Sequence, residues 1–445
     1  MRKLITFILI IVLSVGGYAS PKKSFEIKRG VNLSHWLSQR GENTPSIQDG
    51  MSATDFSRIA RAGFDHVRLP IDEEVLWQEN GQKNKEAFSY LHKGIEWALK
   101  NDLRVIVDLH IVRSHYFNAG NEGKKNSLWE KPEAQTHFLA LWQDLVQELK
   151  GYSTSDVAYE IMNEPTAPNH EDWNKLVEKA YQIIRKVEKE RVIVIGSNMW
   201  QGVDTFQYLK VPQGDEFILL SCHFYEPFLL SHYQAGWTEF GKYQGNVHYP
   251  GYLVSKDEFD SLSADDKKLV ARWRTTPWNR ETLTAFLSKA KRVADEKGLN
   301  LYCGEFGIYE KAPIESALKW YSDVISVFDS LNIAWAKWDY KGGFGVYTSQ
   351  NQQKKDLLKV LMSGSGKKVV VGETPVYLDT RKPLELRVKD ALNRMTVEEK
   401  TRLSYADGRF STPGCARLGI PGLMYSDGPH GVRAEICWNS WDYAG

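Results

Sequence analysis

The feature that most constrains this chain is an alternation of strand-type and helix-type pattern that begins near residue 25 and runs for more than three hundred residues. Short β-branched runs, apolar at consecutive positions, are separated by longer stretches whose apolar residues recur at helical spacing. FEIKRGVNLSHWL opens the series as the first strand. DHVRLPI, RVIVDLH, VAYEIMNEP, VIVIGS, FILLSCHFY, NLYCGEFGIYE and IAWAKWDYK continue it. A helical pattern follows each one, weak only in GVDTFQYLK after the fifth, and KKDLLKVLMS closes the set. Eight such units predict an α/β fold, a (β/α)8 TIM barrel. An open doubly wound sheet also alternates, but it needs a glycine-rich phosphate turn after its first strand, and GVNLSHWL has none.

In such a barrel the chemistry sits where strands end. The strand ends here carry Asn32 and Trp36, Arg68, His110, Asn163 and Glu164, His223 and Tyr225, Glu305, and Trp338. These are polar or aromatic, whereas the strand interiors are Val, Ile and Leu. VAYEIMNEP is expected to run as a buried strand up to Pro165, which bars the helical region for Glu164 and holds its carboxylate at a rigid end. Glu305 in CGEFG has the same design. Two carboxylates facing one mouth suit glycosidic bond cleavage, one protonated to assist the leaving oxygen and the other ionised to attack. Arg68, His223 and Tyr225 are placed to support the ionised partner, Asn163 to hold a sugar hydroxyl, and Trp338 to offer a flat face to the ring. No set of His, Asp or Glu has convincing metal-ligand spacing, so neither metal nor cofactor is expected.

IMNEP, CGEFG, HVRLP, the His of DLH, HFY and the strand-eight Trp, in this order, resemble glycoside hydrolase family 5, retaining β-glycanases of the cellulase type. The resemblance covers about residues 25–364. It implies Glu164 as general acid/base and Glu305 as nucleophile in a double displacement, with Arg68, His110, Asn163, His223, Tyr225 and Trp338 around them. GVNLSHWL departs from the commoner first strand in having Ser34 and His35 where glycines are usual. The expected activity is that of an endo-β-1,4-glucanase on β-glucan. An exo-acting β-glucosidase, a mannan, xyloglucan or β-1,3-glucan enzyme, and a non-catalytic glycan-binding protein are the alternatives.

The long insertion over 226–279 carries Phe228, His232, Tyr233, Trp237, Tyr243, Tyr249, Trp273 and Trp278. It reads as a satellite core, as a lip over the cleft, or as both, with Trp237 a candidate sugar contact. Cys222 and Cys303 fall on neighbouring strands; alternation counted from His223 and Glu305 points them to opposite faces, as free thiols. A net charge of +1 with no basic run argues against nucleic acid. Residues 1–19 read as a signal peptide, with Arg2 and Lys3, an apolar core shorter than a membrane span, and Gly17-Tyr18-Ala19. The expectation is an exported monomer, secreted or periplasmic, without a membrane anchor after cleavage.

The catalytic unit spans 20–364, and the shift to SGSGKK after Met362 leads into a segment at 365–372 that reads as a flexible linker. RMTVEEK and SDGPHGVR then resemble the N-terminal start of a glycoside hydrolase family 3 β-glucosidase over 373–445. There the resemblance implies that Asp427 contacts a terminal sugar, in a fragment expected to be poorly ordered and inactive. A helix over LELRVKDALNRM and a capping box from Thr396 to Glu399 are predicted within it. A glucanase joined to a β-glucosidase would favour β-1,4-glucan as the substrate.

Overall fold

The alternation closes on itself in the computed structural model, which describes residues 24–120, 126–372, 376–379, 382–408, 411–415 and 418–424. A short strand β1 (Phe25–Ile27) precedes the barrel strands β2 (Arg29–Asn32), β3 (His66–Asp72), β4 (Arg104–Ile111) and β5 (Val157–Glu160). β6 (Ile193–Gly196), β7 (Ile218–Phe224), β8 (Asn300–Phe306) and β9 (Ala334–Lys337) complete a closed barrel in sequence order, with β9 pairing back to β2. Every residue of β3 and β7 is buried, because one face fills the barrel and the other meets the surrounding helices. Those helices form where apolar stripes and caps coincide. Lys85–Leu99 starts where the Asn84 side chain accepts from Ala87 N, and it buries Phe88, Leu91, Ile95 and Ala98 on one face. Among the described residues no helix is long and apolar enough to cross a membrane. Residues 1–19 and Asp427 lie outside the described residues.

Several expectations change. FEIKRGVN is two strands, not one: β1 leaves the barrel and pairs antiparallel with β10 (Val369–Val371). The residues read as a flexible linker therefore contribute a strand. Phe25, Ile27, Val369 and Val371 are buried against Ile106, Ala158, Val194, Leu219, Tyr302 and Ala336 and plug the barrel floor. Each such side chain contributes about 1.5–3 kcal/mol of burial, which outweighs the glycines and serines that suggested flexibility.

Trp36 is not at the mouth. It is buried in a slot left by two glycines, where a Cβ on Gly50 or Gly94 would come within 2.6 or 2.9 Å of its ring. Its indole stacks on Trp97 at 6.3 Å and donates to Ile47 O at 2.8 Å. The aromatic residues of the insertion divide in two. Tyr243, Tyr249 and Trp273 are buried in the main core with Phe240 and Val270, whereas Trp237 is 59% exposed.

Cys222 and Cys303 are free and buried, but on the same side. They pair directly across β7 and β8, and His223 then pairs with Glu305, leaving Gly304 as an extra residue. Counting alternation through this bulge fails by one. Glycine is required there, since a Cβ would lie 2.9 Å from Ser221 Oγ and 3.2 Å from His223 Nε2.

The C-terminal segment is not featureless. Leu384–Arg394 and Val397–Arg402 are helices, and Thr396 and Glu399 form the predicted capping box. A two-stranded sheet of β11 (Ser411–Thr412) and β12 (Leu423–Met424) lies in the same segment, and Met395, Cys415 and Leu418 form a small cluster.

Candidate active site

The mouth is built around one guanidinium. Arg68 on β3 is fully buried, and its nitrogens reach Glu160 at 2.7 and 3.0 Å, Asp108 at 2.9 Å and Glu305 at 2.7 Å. The same group donates to Asn32 Oδ1 at 3.0 Å and Asn163 Oδ1 at 2.9 Å. With its donors so engaged, Arg68 positions the carboxylates and does not bind substrate. Asn32 is likewise spent: it is buried, accepts from Arg68, and donates to Gly304 O at 2.9 Å.

Glu305 is held from two sides, by Arg68 on Oε1 and by the Tyr225 hydroxyl on Oε2 at 2.9 Å. Glu164 faces it. Its strand stops at Glu160, four residues earlier than the sequence suggests, and Glu164 adopts a left-handed φ of +42° just before Pro165. His223 Nδ1 lies 2.7 Å from Glu164 Oε1 and 3.7 Å from Glu305 Oε2. One oxygen from each carboxylate and one His223 nitrogen all lie within 4.8 Å of one another. Linear spacing gave no hint that these three could hold a metal ion, yet their distances permit it. The Arg68 charge on Glu305 opposes a cation there.

The electrostatics separate the two acids. Burial pushes Glu164 well above the usual carboxylate range, and the neighbouring Glu305 charge adds to it. Burial also raises Glu305, but Arg68 opposes that rise. Burial pushes Asp108 up to about 7 despite Arg68, and raises Glu160. His223 is driven well below its usual value, by burial and then by Arg68, so it is a neutral imidazole next to Glu164. Tyr225 is raised by burial and by both glutamates, and remains a hydroxyl donor.

Around this pair stand groups with unused polar atoms. Asn163 Nδ2 and His110 Nε2 are buried without protein partners, which suits them to sugar hydroxyls, whereas His223 Nε2, also without one, lies on the Gly304 side of the ring. His110 is fixed by Asp108 at 2.6 Å and lies parallel to Trp338, with ring centres 5.7 Å apart and planes within 4°. Trp237 stands at the rim, meeting Tyr309 at 4.9 Å and Phe344 at 6.3 Å.

Three contributors were missed in the sequence. Asp108 lies two residues before His110 on β4, so strand alternation puts the two on one face, and Glu160 closes β5 with its carboxylate on Arg68. Both were passed over as strand interior. Trp200 is the third, with its indole donating to Phe117 O at 3.0 Å and its amide to Pro165 O at 3.2 Å. It sits in a run, Met199, Trp200 and Gln201, with φ between +55° and +58°. Single left-handed residues of this kind cost roughly 1–3 kcal/mol, and such strain concentrates at functional sites. Gln201, swung inward by this turn, donates to Glu160 at 2.9 Å.

Comparison with known proteins agrees with this geometry. The family model for cellulase (glycosyl hydrolase family 5) matches residues 28–343. Endoglucanase C of Acetivibrio thermocellus is 31% identical over 342 residues, covering 76% of this chain and 97% of that protein. Thermotoga maritima Cel5A, solved in complex with mannotriose and with cellobiose, superposes with a TM-score of 0.60 at 28% identity, covering 76% of this chain and 97% of that one. A β-glucosidase of Bacteroides ovatus is 77% identical over 73 residues, 16% of this chain and 10% of that protein, in support of the family 3 reading of the C-terminal segment. The match in family model, in relatives along most of the catalytic unit and in barrel architecture has one meaning: the chain belongs to glycosyl hydrolase family 5, the cellulase family.

Proposed function

We propose that the protein is a retaining endo-β-1,4-glucanase in which Glu305 is the nucleophile and Glu164 the general acid/base. The observation that carries this is the approach of the two carboxylates, with an oxygen of each within 4.8 Å. Retaining glycosidases place their carboxyl groups roughly 5–5.5 Å apart, and inverting ones leave about 6.5–9.5 Å for a water. Protonated Glu164 donates to the glycosidic oxygen while Glu305 attacks the anomeric carbon, forming a covalent glycosyl-enzyme and releasing the leaving sugar. Glu164, now ionised, takes a proton from water as that water attacks the same carbon. The bond to Glu305 breaks and both groups return to their starting states. Tyr225 and Arg68 steady the Glu305 charge before attack, and His223 accepts from or donates to Glu164 as its proton moves.

Trp338 and Trp237 supply flat faces for sugar rings, and Asn163 and His110 supply hydrogen bonds to hydroxyls. The endoglucanase name of a relative and the cellobiose complex of a structural neighbour favour β-1,4-glucan. The mannotriose complex makes mannan the second substrate to test. Export is part of the proposal and rests on the leader pattern of residues 1–19; a monomeric state is proposed alongside it.

The experiment is product analysis on carboxymethyl cellulose, mixed-linkage glucan, xyloglucan, mannan and laminarin, with cellotetraose alongside. The expected result is a rapid fall in viscosity on cellulose or mixed-linkage glucan, with mixed short oligomers. Glucose from cellotetraose with every polymer untouched would contradict endo action.

A further inference from the structure

The strand that delivers Trp338 ends in a lysine with no role in the chemistry above. Lys337, the last residue of β9, is completely buried. Lysine is almost never fully buried unless its charge is paired. Yet its ammonium donates to main-chain carbonyls, that of Trp338 and that of Phe344 at 2.5 Å. Asp339 on the far side of Trp338 is also buried and supplies the counter-charge, and Ser34 Oγ from the loop after β2 donates to it.

This ammonium is where three functional pieces meet. The first is Trp338, whose amide also donates to Phe306 O at 3.0 Å, one residue past Glu305. The second is Phe344, whose ring meets Tyr225 at 6.1 Å, Tyr309 at 5.4 Å and Trp237 at 6.3 Å. The third is the chain leaving Glu305. Gly307 passes so close that a Cβ would fall 2.5 Å from Trp338 O, 3.1 Å from Phe344 Cδ1 and 3.2 Å from Lys337 Nζ.

We infer that Lys337 is a positioning residue whose buried side chain fixes Trp338, Phe344 and the backbone after Glu305 against one another. It thereby sets the sugar platform relative to the nucleophile. This rests on the proposed reading of Trp338 as a platform. A lysine that only stabilised the barrel would lower the folded fraction and leave the behaviour of Trp338 unchanged.

A double-mutant cycle on kcat/KM for cellotetraose separates these cases. Lys337→Met, Trp338→Ala and the double variant are compared at equal folded fraction, set from thermal melts and circular dichroism. Lys337→Met is expected to lower kcat/KM about tenfold, equivalent to about 1.4 kcal/mol. In the Trp338→Ala background it should lower it by less than about threefold, because the positioned group is gone. Full additivity, or a Lys337→Met enzyme as active as the parent beside an impaired Trp338→Ala, would overturn the inference. If Trp338→Ala itself behaves like the parent, the platform reading falls first and the inference with it. Should Lys337→Met not fold, Lys337→Gln keeps a donor that is easier to bury and serves in the same cycle.

Discussion

Arg68 and Arg191 are two guanidiniums buried to the same degree in one barrel, and they differ in what surrounds them. Arg191, toward the floor, pairs with Glu188 at 2.6 Å and otherwise donates to the carbonyls of Tyr152, Ser153 and Val157. Its charge is balanced and every neighbour is satisfied. Arg68, at the mouth, faces Asp108, Glu160 and Glu305 at once, with Glu164 beyond. Carboxylates outnumber the guanidinium there, burial raises their pKa values against its pull, and Asp108 Oδ1, His110 Nε2, Asn163 Nδ2 and His223 Nε2 have no protein partner. Buried charge that serves the fold is neutralised and closed. Buried charge that serves a reaction is left unbalanced and open.

The contrast can be broken by removing its reactive members. Glu164→Ala and Glu305→Ala should each lower kcat by about 10²–10⁴-fold or more while glycan binding in an affinity gel persists. Turnover that survives both changes would separate the unbalanced cluster from catalysis altogether.

Methionine at either arginine sharpens it. Arg68→Met and Arg191→Met should each destabilise by about 3–5 kcal/mol in urea unfolding, since each strands buried carboxylate. Only Arg68→Met should also change kcat and its pH profile, because only Arg68 holds Glu305 down. Equal loss of kcat per folded molecule in both would erase the distinction.

The pH dependence follows with its sign. On the proposed roles, kcat/KM should rise as Glu305 loses its proton and fall as Glu164 loses its own, and both carboxyls are raised by burial. The bell should therefore sit above the ordinary carboxylate range near 4.3. For stability, Asp108 binds its proton more tightly folded than unfolded, so its contribution is complete below about 4. It is lost as pH rises through about 7. Thermal melts should show the parent losing stability between about pH 4 and 7, by a few kcal/mol at most, and Asp108→Asn losing less.

The smallest expected effect on turnover lies at the floor. Ending the chain after residue 368 removes Val369 and Val371 and should lower stability by about 3–6 kcal/mol gross, with kcat per folded molecule unchanged. A full-strength melt would return the segment to the role of a linker.

The barrel was legible from its alternation, and the proposed catalytic pair stood out because strand-ending residues announce themselves against an apolar background, as Glu305 does in CGEFG and His223 in SCHFY. Glu160 and Asp108 were hidden because a carboxylate inside a strand is read as an exception, whereas parity with His110 on the same strand would have exposed Asp108. Trp36 misled for the opposite reason. A tryptophan past a strand end looks like a platform, and only three-dimensional placement brings Gly50 and Gly94 together to make its slot. The cysteine pair failed at the Gly304 bulge, which no count of alternation detects. The β1–β10 plug joins residues separated by most of the barrel, and composition pointed the other way.

The most direct measurement uses a cellobioside with fluorine at C2 and a good leaving group. Fluorine destabilises the cation-like transition states of both steps, and the leaving group restores the first, so a covalent intermediate accumulates. Intact mass should rise by one fluorinated cellobiosyl unit, and peptide mapping should place it on Glu305. A label on any other residue, or rapid turnover with α-configured product and no label, would contradict a retaining mechanism centred on Glu305.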